Sequence, residues 1–258
     1  MNEVCKLCLK ESQLQRSHII PRSYFRNLKK ENDKIVFYQD GKKKSVGNFD
    51  PKELMLCREC EQFLSINYEA YGIRLLRDHK NFRKNSNHVV ISSFQYEKFY
   101  LYLISILWRA SIAKHEYYKG VNGVELLDDI LRHCIINKKI RINKFSQLRL
   151  DHFIKICIFR IVDSTKNVPD EVIKALLSNF VQTKSDTFKG VTWYFIYEGF
   201  IVFFNFCIGK DQHETRTLNF NSQLTKGSLQ KIMKMEITHS KVLTELFNGM
   251  IVAAKQEE

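Results

Sequence analysis

Four cysteines stand in two pairs, and both pairs have the spacing of a metal site. Cys5 and Cys8 are separated by two residues, and so are Cys57 and Cys60. At this spacing one turn presents two thiolates to a single ion, and two such pairs complete tetrahedral zinc coordination. We therefore predict one structural Zn²⁺ held by four cysteines; the alternative is two unrelated reduced pairs. Zinc with four thiolates has no open position, so any chemistry must come from other residues.

One histidine lies between the two pairs, in the stretch LQRSHIIP at positions 14–21. An imidazole titrates at a pH of about 6.5, so His18 can accept a proton from water at neutral pH. A histidine beside apolar residues is also often structural, and this one could cap the turn before Pro21. His18 is therefore the candidate general base, with the structural role as the alternative.

These motifs together resemble a known family of nucleases. The segments that carry the resemblance are CKLC (Cys5–Cys8), SHIIP (Ser17–Pro21) and LCREC (Leu56–Cys60), the last followed by Glu61. They are similar to the zinc-stapled branch of the HNH endonucleases, whose ββα-metal core is bracketed by two Cys-x-x-Cys pairs. The resemblance covers the first quarter of the chain.

The resemblance implies a catalytic role for three residues. It implies that His18 activates the water that attacks phosphorus, that Ser17 is the first metal position and that Glu61 is the last. Members usually carry Asp or His at the position of Ser17, and His or Asn at that of Glu61. Glu61 offers an oxygen ligand suited to a hard cation, and Glu69, two helical turns further on, is placed to assist it. The implied catalytic ion is Mg²⁺ or Mn²⁺, which offsets negative charge on the phosphate and on the leaving oxygen.

The charge of the chain favours a polyanionic partner. There are 41 Lys and Arg against 28 Asp and Glu, a net charge of +13, and residues 1–90 hold 18 of the former and 11 of the latter. Basic side chains that pair with phosphates release condensed counterions, so we predict a nucleic-acid partner, which the resemblance makes DNA. The alternative is a basic surface that is merely solvated. The predicted phosphate contacts are Arg16, Arg22, Arg26, Lys29 and Lys30.

The sequence predicts that these residues are positioned by an α+β fold in two parts. Residues 1–85 are expected to form a small ββα-metal zinc module of the HNH-like, treble-clef type, with a lysine-rich hairpin inserted and a helix that starts at the second cysteine pair. Residues 86–258 are expected to form a larger, mostly helical accessory domain with a β-hairpin near 190–208. The segment 145–162 is predicted to be helical with some strand character. Arg109 interrupts the most apolar predicted helix and needs a partner.

The sequence also predicts a location and a function. The first residues lack the apolar core of a signal peptide, and the longest apolar run, Phe99 to Trp108, is too short to span a bilayer, so we expect a cytoplasmic protein. The leading functional prediction is a metal-dependent HNH-like endonuclease that hydrolyses DNA phosphodiester bonds. The resemblance implies a role in bacterial defence against phage or in a mobile element, with an ATPase as one partner protein that would fit such a role. The alternative is a catalytically inactive zinc-stapled module that binds nucleic acid or docks a partner protein.

Overall fold

The computed structural model describes most of the chain. The described residues are 3–25, 35–39, 42–46, 52–121, 124–142, 147–184, 188–207 and 212–255. Three of the residues predicted to contact phosphates, Arg26, Lys29 and Lys30, lie outside these ranges, so their role stays a prediction.

The described residues form an α+β fold, as predicted. The strands are β1 (Glu3–Val4), β2 (Glu11–Ser12), β3 (Leu14–His18), β4 (Ile35–Gln39), β5 (Lys42–Val46), β6 (Lys52–Cys57), β7 (Phe82–Lys84), β8 (His88–Ser92), β9 (Ile154–Val162), β10 (Leu177–Ser178), β11 (Val181–Lys184), β12 (Gly190–Tyr197), β13 (Phe200–Cys207) and β14 (Leu229–Glu236). The helices are α1 (Arg58–Leu64), α2 (Ala70–Arg77), α3 (Tyr96–Ile112), α4 (Asp128–Asn137), α5 (Leu150–Phe153), α6 (Asp170–Ala175), α7 (Gln212–Thr217) and α8 (Lys241–Lys255). A π-helical turn, Ser65–Glu69, joins α1 to α2.

The N-terminal part is built on two antiparallel strands and a helix. β3 pairs with β6, and α1 follows β6 without a linker, which gives the order strand, strand, helix. The short β1–β2 pair encloses the first cysteine pair. The predicted lysine-rich hairpin is confirmed as β4–β5, inserted between β3 and β6. The sequence therefore located the start of the helix and the inserted hairpin correctly.

The prediction that residues 86–258 are mostly helical is wrong. A seven-stranded sheet in the order β11-β12-β13-β9-β14-β8-β7 dominates this region, antiparallel throughout except for the parallel pair β9–β14. β9 lies inside that sheet and is apolar along most of its length, so it shows no alternation of polar and apolar residues. A continuous apolar run does not separate a buried strand from a buried helix. Half of the segment 145–162, which was predicted to be helical with some strand character, is therefore β9, and only Leu150–Phe153 within it is α-helical.

The predicted β-hairpin near 190–208 is confirmed as β12–β13. Its two-residue loop is Glu198-Gly199, and both residues have positive φ, 51° and 73°. This is the backbone that a tight hairpin turn requires to match the twist of the strands, and glycine adopts it without steric cost.

A single buried helix connects the two parts of the chain. α3 is buried along most of its length, as the sequence predicted, and belongs to one hydrophobic core that includes Leu56 and Tyr68 on one side and Phe195 on the other. The core thus runs across the predicted boundary at residue 85. α2 approaches α3 closely at Gly72, where a Cβ would stand 2.3 Å from the Tyr102 ring. No helix among the described residues combines the length and apolar character needed to cross a membrane.

Candidate metal centre and the polar network beside it

The four paired cysteines meet at one point. Their sulfur atoms all lie within 4.8 Å of one another, and the Sγ atoms of Cys8 and Cys57 are 3.9 Å apart. Two thiolates on a tetrahedral zinc, each bonded at about 2.3 Å, stand about 3.8 Å apart, so this separation fits the edge of a zinc tetrahedron. Cys5, Cys8, Cys57 and Cys60 could therefore hold a metal ion such as zinc.

Two local structures bring the cysteines together. The first pair lies on a tight turn in which Leu9 N donates to Cys5 O at 2.9 Å and Leu9 adopts φ 60°. The second pair lies at the start of α1, for which Cys57 is the N-terminal boundary residue. The free N–H groups and the positive end of the dipole at a helix N-terminus favour thiolates there. Lys6 N donates to Met55 O at 3.0 Å and so ties the turn to β6.

The protonation of the thiols depends on their different surroundings. Burial raises the pKa of Cys57 to about 11 and also raises the pKa of Cys60. For Cys5, burial raises the pKa, but hydrogen bonds from backbone N–H groups, including that of Cys8, outweigh this and the pKa is lowered. Metal binding to such a set must displace protons from buried thiols.

In the β3–β6 pair, the side chains of the neighbouring residues Ser17 and His18 point to opposite faces of the two strands. Ser17 pairs with Glu53, and His18 pairs with Lys52. Successive side chains of a strand point to opposite faces. Ser17 accordingly lies on the inner face with 1% of its surface exposed, while His18 is half-buried. The Ser17 hydroxyl accepts a hydrogen bond from Leu56 N at 3.2 Å.

Glu61 lies in α1 beside Ser17. The pKa of its carboxyl group is raised, chiefly by burial. A hydrogen bond with the Ser17 hydroxyl and the positive charge of Arg109 oppose this rise, and the negative charge of Glu69 adds to it. The Oε1 atom of Glu61 is buried and has no hydrogen-bond partner among the described residues. A buried oxygen of this kind is costly unless something satisfies it, and a bound cation is one group that would.

The π-helical turn brings a second carboxylate to the same side. At 100° per residue, Glu61 and Glu69 would be about 80° apart around an ordinary α-helix. One extra residue in the turn reduces this to about 20°, because eight residues then cover the rotation of seven. The Asn67 side chain donates to Phe63 O at 2.8 Å and so satisfies a carbonyl inside the distorted segment.

Arg109 supplies the positive charge beside these two carboxylates. The sequence predicted that Arg109 needs a partner but did not identify which residues it contacts. Arg109 reaches from α3 with 1% of its side chain exposed and forms an ion pair with Glu69, Nη1 to Oε1, at 2.7 Å. The same Nη1 donates to His18 O at 2.8 Å, and Nε donates to Ser105 O at 3.2 Å. A lone arginine in an apolar helix was the available signal, since a buried charge must be paired. Its partners lie 40 and 91 residues earlier in the chain, so the sequence could not name them.

The outer face of the same strand pair carries cations around His18. Arg16 is exposed on β3, and Lys52 lies directly opposite His18 on β6. Arg22 is exposed at the start of a helical turn at 22–25 that follows β3. Lys52 was missed because the register places it beside His18, whereas the sequence places it 34 residues away. The His18 ring lies 6.1 Å from that of Phe25, measured between centroids.

The structure therefore brings together the four cysteines, and next to them a polar group made of the buried Ser17 and Arg109 and the half-buried Glu61 and Glu69, with His18 on the adjoining face. No protein-family model matches the sequence, and comparisons with curated proteins and with solved structures found no match either. What this chain does is accordingly argued from its own residues.

Proposed function

We propose that the protein is a metal-dependent, HNH-like endonuclease that hydrolyses DNA phosphodiester bonds. The observation that carries the proposal is the half-buried Glu61, whose Oε1 atom is fully buried and has no hydrogen-bond partner among the described residues, and which lies beside Ser17. Carboxylate and hydroxyl oxygens are ligands for hard divalent cations. Glu61 and Ser17 would hold Mg²⁺ or Mn²⁺, and the four cysteines would hold a structural Zn²⁺.

His18 supplies the base in this proposal. Its imidazole accepts a proton from the water whose oxygen attacks phosphorus, while the bond from phosphorus to the leaving oxygen breaks and that oxygen takes up a proton. The divalent ion, when bound, offsets negative charge on the phosphate and on the leaving oxygen. Arg16 and Lys52 lie on the outer face with His18, where cations can contact the flanking phosphates of the DNA backbone.

The test is cleavage of supercoiled plasmid with Mg²⁺ and with Mn²⁺ at equal zinc content. We expect the wild type to nick or linearise the plasmid only when a divalent ion is added, and His18→Ala to lose this activity. His239→Ala is the matched control, because His239 is exposed at the far end of the chain and should leave cleavage unchanged. Equal cleavage by the wild type and His18→Ala would rule out His18 as the base.

A second candidate function is supported by the surroundings of Ser17. Its hydroxyl is already engaged with the backbone, accepting from Leu56 N and lying 3.4 Å from Gln15 O, and it is almost fully buried. A hydroxyl used in this way is a poor ligand, which favours an inactive zinc-stapled module that binds nucleic acid. Such a module would bind DNA with a salt-dependent affinity and cleave none of it in either metal.

A further inference from the structure

Arg109 is the one fully buried guanidinium among the described residues, and it contacts both a carboxylate and a main-chain carbonyl. Its Nη1 atom donates both to the Glu69 carboxylate at 2.7 Å and to the main-chain carbonyl of His18 at 2.8 Å. Its Nε atom donates to Ser105 O, one turn back in α3. The guanidinium is a rigid planar fork, so fixing Nε also fixes the direction in which Nη1 donates.

The contact with His18 is made to the backbone at the place where the proposed base leaves β3. The carbonyl group that accepts this hydrogen bond belongs to His18, the residue that bears the imidazole. The next two residues, Ile19 and Ile20, are fully buried. A hydrogen bond from a charged donor is roughly twice as strong as a neutral one. Arg109 therefore ties the end of β3 to the interior of α3, on the opposite side of the predicted domain boundary.

The same guanidinium also orders the carboxylates. It pairs with Glu69, and its charge opposes the rise that burial causes in the pKa of Glu61, so both acidic groups lie within reach of its charge. Its Nη2 atom is buried and has no hydrogen-bond partner among the described residues. With an exposed fraction of 1%, Arg109 does not reach DNA itself.

We propose that Arg109 is a positioning residue, which holds the His18 backbone and the Glu69 carboxylate so that the imidazole of His18 and the carboxylate of Glu61 keep a fixed relation. The proposal deepens, and rests on, the nuclease function proposed above. Displacement of a reacting group by about 1 Å can lower a rate by about 100-fold, so a residue that acts only through the backbone can still govern turnover.

The test must separate an effect on the position of His18 from an effect on the stability of the fold. A single and a double variant, compared with each other, do so. Arg109→Met alone leaves Glu69 buried without a partner and should lower the thermal midpoint. Arg109→Met combined with Glu69→Met removes both charges and should recover much of that loss, because replacing a whole buried ion pair by apolar groups is far less harmful than breaking it. If the double variant does not fold, Arg109→Lys takes its place, since lysine keeps the charge but lacks the planar fork.

Two readouts are taken on the folded full-length variant. Amide hydrogen exchange in peptides that cover 14–20 should become about 10-fold faster, the effect expected for loss of one hydrogen bond from a charged donor. In plasmid cleavage, kcat should fall by about 100-fold while KM for DNA stays within the error of the wild type. Unchanged exchange over 14–20, or unchanged kcat in the double variant, overturns the proposal.

The matched control is Arg160→Met. Arg160 makes the same two kinds of contact, to Asp170 Oδ1 at 2.7 Å and to Glu198 O at 2.9 Å, but on β9 and outside the proposed site. It should lower the thermal midpoint and leave both the exchange over 14–20 and kcat unchanged. If the wild type cleaves no DNA, the proposed function fails, while the exchange measurement still decides whether Arg109 holds the His18 backbone.

Discussion

At the scale of single residues, the site separates into an inner and an outer layer because neighbouring residues of β3 point to opposite faces. Ser17 points inward to Glu61, and His18 lies on the other face, next to Arg16 and across from Lys52. The inner face carries the oxygen atoms of Ser17 and Glu61, and the outer face carries the positive charges of Arg16 and Lys52. One residue of shift in the register of β3 would exchange the two faces and destroy both.

The outer layer leads to a prediction about Lys52. Replacing Lys52 with Ala should weaken DNA binding severalfold and reduce the slope of log affinity against log salt concentration by about 1, since one phosphate contact is lost. Binding should be measured by fluorescence anisotropy between low and physiological salt. Lys226→Ala is the control, because Lys226 is exposed in a loop before β14. If both variants lost the same affinity and slope, Lys52 would contribute only its net charge.

At the scale of elements, the π-helical turn decides which side chains share a face. The helix from Arg58 to Arg77 has enough helix-forming residues to be predicted, but the extra residue in Ser65–Glu69 has no visible signal in the sequence. It turns Glu69 toward Arg109 while α2 still packs against α3 at Gly72. π-helical turns inside α-helices are frequent at functional sites.

Deleting Ile66 tests this account of the turn. Ile66 is 71% exposed, so Ile66→Ala should change the free energy of unfolding by no more than about 0.5 kcal/mol. Deleting it removes the extra residue, so seven residues of regular α-helix should then join Glu61 to Glu69 and keep them about 20° apart. Glu69 should therefore stay paired with Arg109, and the free energy of unfolding should lie within about 1 kcal/mol of that of Ile66→Ala. Urea denaturation of both variants would decide. A loss of about 3 to 5 kcal/mol in the deletion variant, as for a broken buried ion pair, would show that Ile66 is not the extra residue of the helix and contradict this geometry.

At the scale of the whole molecule, the N-terminal part and the large sheet behave as one folded body. Tyr24, which follows the SHIIP segment, makes a hydroxyl–hydroxyl hydrogen bond with Tyr102 of α3 and packs edge-on against Tyr197 of β12. Arg77 at the end of α2 donates to Ser23 O and to Glu198 in the β12–β13 loop. Two of these contacts, Tyr24 with Tyr197 and Arg77 with Glu198, join residues more than 100 positions apart in the chain.

We therefore predict that a fragment of residues 1–85 does not fold as the whole chain does. It would expose Tyr24 and the apolar side of α2, and it would lack Arg109 opposite Glu69. Circular dichroism with stoichiometric zinc should show no cooperative thermal transition for the fragment, in contrast to the full chain. A sharp transition in the fragment would mean that the zinc centre alone stabilises this part.

Zinc should in turn stabilise the whole chain. We expect about one Zn²⁺ per molecule by elemental analysis, and loss of that zinc together with a lower thermal midpoint in Cys60→Ser, because a structural zinc contributes directly to folding. Cys134→Ser is the control, since Cys134 is a buried thiol outside the cluster. Full zinc retention in Cys60→Ser would show that the four cysteines do not form one site.

What the sequence could predict was local. The cysteine spacing, the Glu198-Gly199 hairpin and the buried helix α3 each depend on residues close together in the chain, and each was found where expected. The large sheet was missed because β9 is apolar without alternation, and Arg109's partners were missed because they come from elements far along the chain. The sequence could show that Arg109 needed a partner but not which one.

Glu61 is the residue proposed to hold the divalent ion for DNA hydrolysis. We would therefore measure the rate of plasmid cleavage by Glu61→Gln across a range of Mn²⁺ concentrations. Glu59→Gln, an exposed carboxylate in the same helical turn, is measured beside it at equal zinc content. A bound metal contributes several kcal/mol to stabilising the transition state, so we predict that the rate falls by about 100-fold or more in Glu61→Gln and is unchanged in Glu59→Gln. Wild-type cleavage by Glu61→Gln at every Mn²⁺ concentration would contradict it.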